Sequence, residues 1–229
     1  MNRKLITVCA ALAAFVALAV SATSAFGVEL TEPTGTKLAN GVKLLATNVN
    51  GNTIMTDLET HKLIECSTAT MTGELVSNGS SVITGNITAN TFSGTGTSGD
   101  CTSTVGSVKV TTSIAGGLPY CMKTIAEKDE VEIRGGNCSE ASRSIKFTLD
   151  FTNPVGTCAY EVASLRGTFT TDTPAGSNQD AVVTLFEAGP FTRYEQSGLV
   201  SLACPEKSTL DMSFTLETDE ATAKPIYIS

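Results

Sequence analysis

Hydrophobic and polar residues alternate with a period of two in several parts of the chain. In segment 144–151, the hydrophobic positions are Ile145, Phe147, Leu149 and Phe151, and the positions between them are polar. The same alternation occurs in segments 108–114, 130–134 and 209–217. This pattern is typical of antiparallel strands that have one buried face and one face in water.

Less regular strand candidates fill most of the remaining chain: 42–49, 53–58, 62–66, 71–76, 81–92, 120–126, 158–170, 181–186, 191–194 and 225–228. Turn-forming pairs lie between them, at Asn50-Gly51, Asn78-Gly79, Gly116-Gly117, Gly135-Gly136, Asn153-Pro154 and Gly189-Pro190. No segment after residue 28 has a convincing helical period of 3.6. The sequence therefore predicts an all-β protein, an antiparallel β-sandwich or barrel, with almost no helix.

Two parts of the chain resemble each other. Each runs from a cysteine through hydrophobe-x-Gly-x-hydrophobe, two hydrophobic residues and Thr, then Phe-Ser/Thr, to a second cysteine. We interpret this as an internal duplication of two similar β halves, covering 42–101 and 131–204. The alternative is that any two pairs of alternating strands align loosely.

The first 25 residues have the pattern of a secretory signal peptide. A short basic segment, Asn2-Arg3-Lys4, precedes an apolar run, and small residues follow at 21–25. The apolar run is shorter than the roughly 20 residues that span a bilayer. We expect a signal peptide at 1–25, a linker at 26–36 and a single all-β domain at 37–229, with the mature protein secreted or in the cell envelope and no membrane span.

The chain is acidic. It contains 15 Lys and Arg against 23 Asp and Glu, a net charge of −8. Arg3 and Lys4 leave with the leader, so the mature chain has 13 basic residues against 23 acidic ones, a net charge of −10. Basic clusters are absent, which argues against nucleic acid and anionic membrane surfaces as partners.

Removal of the leader also removes Cys9 and leaves an even number of cysteines: Cys66, Cys101, Cys121, Cys138, Cys158 and Cys204. An even set in an exported chain predicts three disulfides. Six cysteines allow 15 connectivities, and spacing does not choose among them. If the duplication is real, equivalent cysteines pair as Cys66–Cys101 and Cys158–Cys204, leaving Cys121–Cys138. The rival is a Cys138–Cys158 bridge.

Few residues offer catalytic or metal-binding chemistry, and we expect no cofactor. His61 is the only histidine and lies in a polar stretch, where a solvated turn residue is the simpler interpretation. Two acidic clusters and one polar loop are the other candidates, for glycoside hydrolysis and for calcium, although the loop lacks the spacing of a Ca²⁺ loop. They are Glu127, Asp129, Glu130 and Glu132; Glu217, Asp219 and Glu220; and Asp172, Asn178 and Asp180.

The chain resembles a group of uncharacterised exported proteins of high-GC Gram-positive bacteria. The resemblance lies in Gly116–Cys121, Arg143–Asp150, Cys158–Glu161, Gly167–Thr171, Lys207–Asp219 and Pro225–Ser229, and extends to Ile64–Ser67 and Phe92–Gly94. One departure is Tyr120, where the similar proteins often carry Trp before the cysteine. The resemblance implies export and a bacterial host, and it implies no activity.

Three hypotheses for function follow. The first is a non-enzymatic secreted or cell-envelope β module with a binding or structural role, in contact with the envelope or with polysaccharide. The second is a secreted hydrolase that acts on polysaccharide, which requires a pair of carboxylates in one cleft. The third is a carrier for a small apolar ligand, which requires an apolar pocket.

Overall fold

The computed structural model describes residues 29–49, 53–57, 62–79, 81–111, 118–125, 129–140, 143–171, 180–200 and 204–228. These residues form antiparallel strands and one short 3₁₀ turn at Thr97–Gly99, so the predicted all-β class is confirmed. The strands are β1 (Leu30–Thr31), β2 (Lys43–Asn48), β3 (Thr53–Asp57), β4 (Lys62–Cys66), β5 (Thr68–Asn78), β6 (Ile83–Ser93), β7 (Cys101–Ser103), β8 (Gly106–Thr111), β9 (Tyr120–Ile125), β10 (Glu130–Gly135), β11 (Ile145–Thr152), β12 (Val155–Val162), β13 (Leu165–Thr171), β14 (Ala181–Gly198), β15 (Lys207–Thr218) and β16 (Tyr227–Ile228).

All strands except β1 and β16 join one closed circuit, in the order β10-β13-β14-β12-β11-β8-β7-β4-β3-β15-β2-β5-β6-β9. β14 also pairs with β15 across this circuit. The extra pairing divides the circuit into two closed barrels of eight strands that share β14 and β15. Because the circuit is closed, these strands present no open sheet edge at which a strand of another chain could pair.

The pairing pattern repeats in the two halves of the chain, as the duplication hypothesis expects. In the first half, β3 pairs with β4, β5 with β6, and β2 with β5. In the second half, β11 pairs with β12, β13 with β14, and β10 with β13. The last strands of each half pair with the other half. β8 pairs with β11 and β9 with β10, while β15 pairs with both β2 and β3.

Alternation along the strands builds the core. On β15, Met212, Phe214 and Leu216 are buried, while Asp211, Ser213 and Thr215 between them are partly exposed. The same alternation on the other long strands sends side chains from both halves into one continuous hydrophobic core. Burial of this shared apolar surface is the main favourable contribution to folding.

The segment expected to be a linker contains β1, which pairs with β16 near the end of the chain. Leu30 is fully buried, and both of its backbone polar atoms are bonded to the side chain of Asn78. Asn78 Nδ2 also donates to the carbonyl oxygen of Leu38 at 3.0 Å. This buried amide therefore joins the start of the described chain to the end of β5.

The structure divides one predicted strand into two and joins two others into one. Segment 158–170 is two strands, β12 and β13, because the chain changes partners between them: β12 pairs with β11, and β13 with β10. Gly189-Pro190 was predicted as a turn but lies inside β14, where the pairing with β15 is irregular between Ala188 and Phe191. Gly189 has φ of +143° and Pro190 has no N–H to donate, so the pair fits a bulge within a strand.

Candidate functional site

Six cysteines form three disulfides: Cys66–Cys101, Cys121–Cys138 and Cys158–Cys204. These are the pairs that the duplication argument selects, and the rival Cys138–Cys158 bridge does not form. Cys66 and Cys158 lie on β4 and β12, which are equivalent strands of the two halves. Cys121–Cys138 joins the last strand of the first half to the residues that follow β10.

A groove with a volume of about 540 Å³ lies beside the Cys121–Cys138 disulfide. We call it the β9–β10 groove, since most of its lining comes from these two strands and the residues after β10. Its lining residues are Val82, Thr84, Cys121, Lys123, Glu132, Arg134, Cys138 and Ser139. The volume falls within the range of about 300–1,000 Å³ that is typical of ligand pockets.

Strand register places a row of polar side chains across this surface. Lys123 of β9 lies opposite Thr84 of β6 on one side and opposite Glu132 of β10 on the other. Glu132 in turn lies opposite Arg166 of β13. Because successive side chains of a strand point to opposite faces, the neighbours of these residues, such as Met122, are buried.

Glu132 is the central charge of this row. Arg134 Nη2 donates to its Oε1 at 3.1 Å, and Arg166 Nη2 donates to the same oxygen at 3.3 Å. Burial alone would raise the pKa of Glu132, but the hydrogen bonds and charges of the two arginines outweigh it and hold the pKa below its ordinary value. Glu132 is therefore an ionised partner of two arginines at neutral pH.

The described residues of the acidic clusters proposed from the sequence do not supply a second carboxylate to this groove. Asp129 and Glu130 adjoin Glu132 in sequence but are not among the groove's described lining residues, and Glu127 lies outside the described residues. Glu217, Asp219 and Glu220 lie at the far end of β15. Within the described chain, the β9–β10 groove has one carboxylate, whereas glycoside hydrolysis ordinarily uses two.

Two asparagines hold the wall of the groove formed by Cys138 and Ser139. Asn86 Oδ1 accepts a hydrogen bond from the backbone N–H of Cys138 at 2.8 Å. Asn137 Oδ1 accepts from the backbone N–H of Ser139 at 3.1 Å and from its hydroxyl at 2.7 Å. Together with the disulfide, these bonds fix the wall in one position before any ligand arrives.

The interior contains two apolar cavities. The larger, which we call the central cavity, has a volume of about 70 Å³ and is lined from both halves of the chain, by residues that include Met55, Phe147 and Phe191. The smaller has about 50 Å³ and lies between β2, β5, β6, β9, β14 and β15. Met71 of β5 lines both cavities. The alternating pattern predicts a buried face but carries no signal for these cavities.

Most of the remaining candidates lie outside the described residues. His61, Asp172 and Asn178 lie outside these residues, so the structure does not describe the histidine or most of the calcium candidate. Across the described ranges, no three His, Cys, Asp or Glu side chains are grouped as a metal ion requires. Within the same ranges, no helix is long and apolar enough to cross a membrane.

No protein-family model matches the chain, and no curated protein or solved structure matches it.

Proposed function

We propose that this protein is a secreted, non-enzymatic β module of the extracellular space or cell envelope, and that its β9–β10 groove binds an anionic polysaccharide. The signal-peptide pattern and the three disulfides support secretion, because disulfides persist in oxidising compartments. The closed strand circuit supports a rigid scaffold. The observation that carries the binding role is the charge arrangement in the groove.

That arrangement is cationic within an acidic protein. Lys123, Arg134 and Arg166 surround the single carboxylate of Glu132, while the whole chain has a net charge of −8. The side chains of Arg134 and Arg166 are 47% and 64% exposed. Each arginine contacts Glu132 through Nη2, and a guanidinium has five N–H donors, so these exposed side chains have further donors to offer a ligand.

Such donors suit a carboxylate- or phosphate-bearing polymer. Arginine binds these groups through paired hydrogen bonds, and the ionised Glu132 holds both guanidinium groups in place beforehand. The acidic remainder of the surface repels polyanions, so binding is restricted to this groove. Little in the sequence indicated this cationic groove, because Lys123, Arg134 and Arg166 are separated along the chain and belong to no basic cluster.

Affinity electrophoresis tests the proposal with polygalacturonate as the anionic polymer and dextran as the neutral one. We expect wild-type protein to be retarded by polygalacturonate but not by dextran, and less so at high salt. Lys123→Gln and Arg134→Gln should each weaken the retardation about tenfold, the effect of losing one hydrogen bond to a charged group. Lys109→Gln removes the same charge from an exposed site on β8 and should leave retardation nearly unchanged.

Two results would overturn the proposal. Equal effects of Lys109→Gln and Arg134→Gln would show a non-specific charge effect instead of a groove. New reducing ends appearing in either polymer during incubation, and lost in Glu132→Gln, would show the hydrolase of the alternative hypothesis.

A further inference from the structure

The interior cavities have an apolar lining, whereas the lining of the β9–β10 groove is largely polar and charged. The lining of the central cavity is almost entirely apolar and includes Phe147 and Phe191, whose ring centroids lie 4.9 Å apart in an edge-to-face contact. Phe147 also stacks on Tyr160, which is not part of the lining, at a centroid distance of 5.6 Å. Genuinely empty protein cavities of this kind stay dry and bind small apolar molecules. Water therefore competes weakly for this space.

Methionine is concentrated around the two cavities. Apart from Met1, the chain has four methionines. Met55, Met71 and Met212 line the central cavity, and Met71 and Met122 line the smaller one. Methionine is unbranched and has a polarizable sulfur, so it adapts its shape to irregular apolar partners. Met71 therefore lies between the two cavities, as part of the wall of both.

One hydroxyl in the central cavity's wall has no hydrogen-bond partner among the described residues. Thr53 is 4% exposed, and its Oγ1 has no hydrogen-bond partner among the described residues. By contrast, the hydroxyl of Tyr120, which lines the same cavity, donates to the carbonyl oxygen of Lys146 at 3.1 Å. A buried hydroxyl without a partner is unfavourable, and a ligand that bonds to it removes that penalty.

We propose that the two cavities form one adaptable chamber, divided by Met71, that binds a small, mostly apolar molecule with one hydrogen-bonding group held by Thr53. The separate volumes, about 70 and 50 Å³, together approach the roughly 150 Å³ of a dry cavity that binds benzene. The ligand class is therefore a single-ring or short-chain alcohol or phenol. This binding is independent of the β9–β10 groove.

Phenol and toluene test the proposal because they have nearly the same shape and differ in one hydroxyl. The probe is the disulfide-bonded mature protein with ¹³C-labelled methionine methyl groups, followed by NMR during titration. We expect saturable shifts of the Met55, Met71 and Met212 methyl signals with both compounds. Lys123→Gln and Arg134→Gln in the groove should not change these shifts, so failure of one proposal is distinguishable from failure of the other.

Three substitutions locate the hydrogen bond. Thr53→Val keeps the side-chain shape and should weaken phenol binding at least tenfold while leaving toluene binding unchanged, because a polar ligand group is then buried without a partner. Thr53→Ser should retain phenol binding. Ser208→Ala is the control, because Ser208 also has a buried hydroxyl without a partner among the described residues but does not line the cavity. This substitution should change the binding of neither phenol nor toluene.

Met71→Ala tests the chamber itself. The shorter side chain should join the cavities and strengthen the binding of n-butylbenzene at least tenfold relative to wild type. The proposal is overturned if neither phenol nor toluene shifts any methionine signal up to its solubility limit. It is equally overturned if Thr53→Val and Ser208→Ala weaken phenol binding by the same factor.

Discussion

Two glycines at corresponding places in the two halves lie against the backbone of a neighbouring strand. A Cβ atom on Gly73 of β5 would come well under 3.0 Å from the carbonyl oxygen of Asn86, and one on Gly167 of β13 equally close to that of Thr184. Real Cβ atoms do not approach other atoms so closely, and a paired backbone cannot rotate away as a side chain can. These residues therefore permit close contact between β5 and β6 and between β13 and β14.

We predict that Gly73→Ala and Gly167→Ala each lower the free energy of unfolding by about 1–3 kcal/mol, the usual cost of overpacking. Urea denaturation followed by circular dichroism measures the change. Gly79→Ala is the matched control, because a Cβ there would lie 3.4 Å from its nearest neighbour, an ordinary contact. If Gly79→Ala were as destabilising as the other two, the close-approach explanation would fail.

At the scale of the strands, the ion pairs across β10 and β13 make stability depend on pH. The pKa of Glu132 in the folded protein lies below its ordinary value of 4.5. A carboxyl with a depressed pKa stabilises the folded state above its unfolded pKa, and this contribution is lost as the pH falls through the folded pKa. The contribution of Glu132 is therefore present at neutral pH and disappears in acid.

The comparison of wild type with Glu132→Gln isolates this effect. We predict that wild type is the more stable at pH 7 and that the difference shrinks as the pH falls below about 4.5, as linkage requires. Thermal melts of both proteins from pH 7 to pH 3 provide the measurement. Glu161→Gln is a suitable control, since Glu161 lies in a single, more exposed pair with Lys146. A difference between wild type and Glu132→Gln that stays constant or grows in acid contradicts the assignment.

At the scale of the whole molecule, the disulfides restrict the unfolded chain to different extents. Cys158–Cys204 closes a loop of 46 residues, and Cys121–Cys138 closes one of 17. The chain-entropy model assigns about 4 kcal/mol to the longer loop and about 3 kcal/mol to the shorter. Cys158 is also fully buried, so its truncation leaves a cavity in the core.

We therefore predict that Cys158→Ala/Cys204→Ala lowers the melting temperature more than Cys121→Ala/Cys138→Ala does. Calorimetry of both variants beside wild type gives the order directly. The second variant also removes part of the groove's wall, so it should lose polygalacturonate binding although it melts at the higher temperature of the two. The reverse order of melting temperatures would show that loop length and burial do not govern these bridges.

Much of the fold was predictable from the sequence because its information is local. Burial of one face of each strand requires an apolar residue at every second position, so stretches such as 144–151 and 209–217 identify β11 and β15 directly. The likeness of the two halves likewise pointed to the cysteine pairs. Of the candidate site, the sequence singled out the Cys121–Cys138 pair and Glu132. Glu132 was one of several acids in a cluster, with no indication of its arginine partners.

The tertiary structure decided which strands meet. β14 remains one strand through Gly189-Pro190 because its pairing with β15 runs from Val182 to Thr192, past both residues. This pairing connects the part of β14 that pairs with β13 to the part that pairs with β12. The row Lys123, Glu132 and Arg166 exists only because β9, β10 and β13 pair in one register, and Thr53 and Met71 reach the central cavity only because each half lends strands to the other. The sequence by itself determined the strands, their buried faces and the capacity for three disulfides. The groove and the cavity depend on contacts between residues far apart in the chain, and no local pattern encodes those contacts.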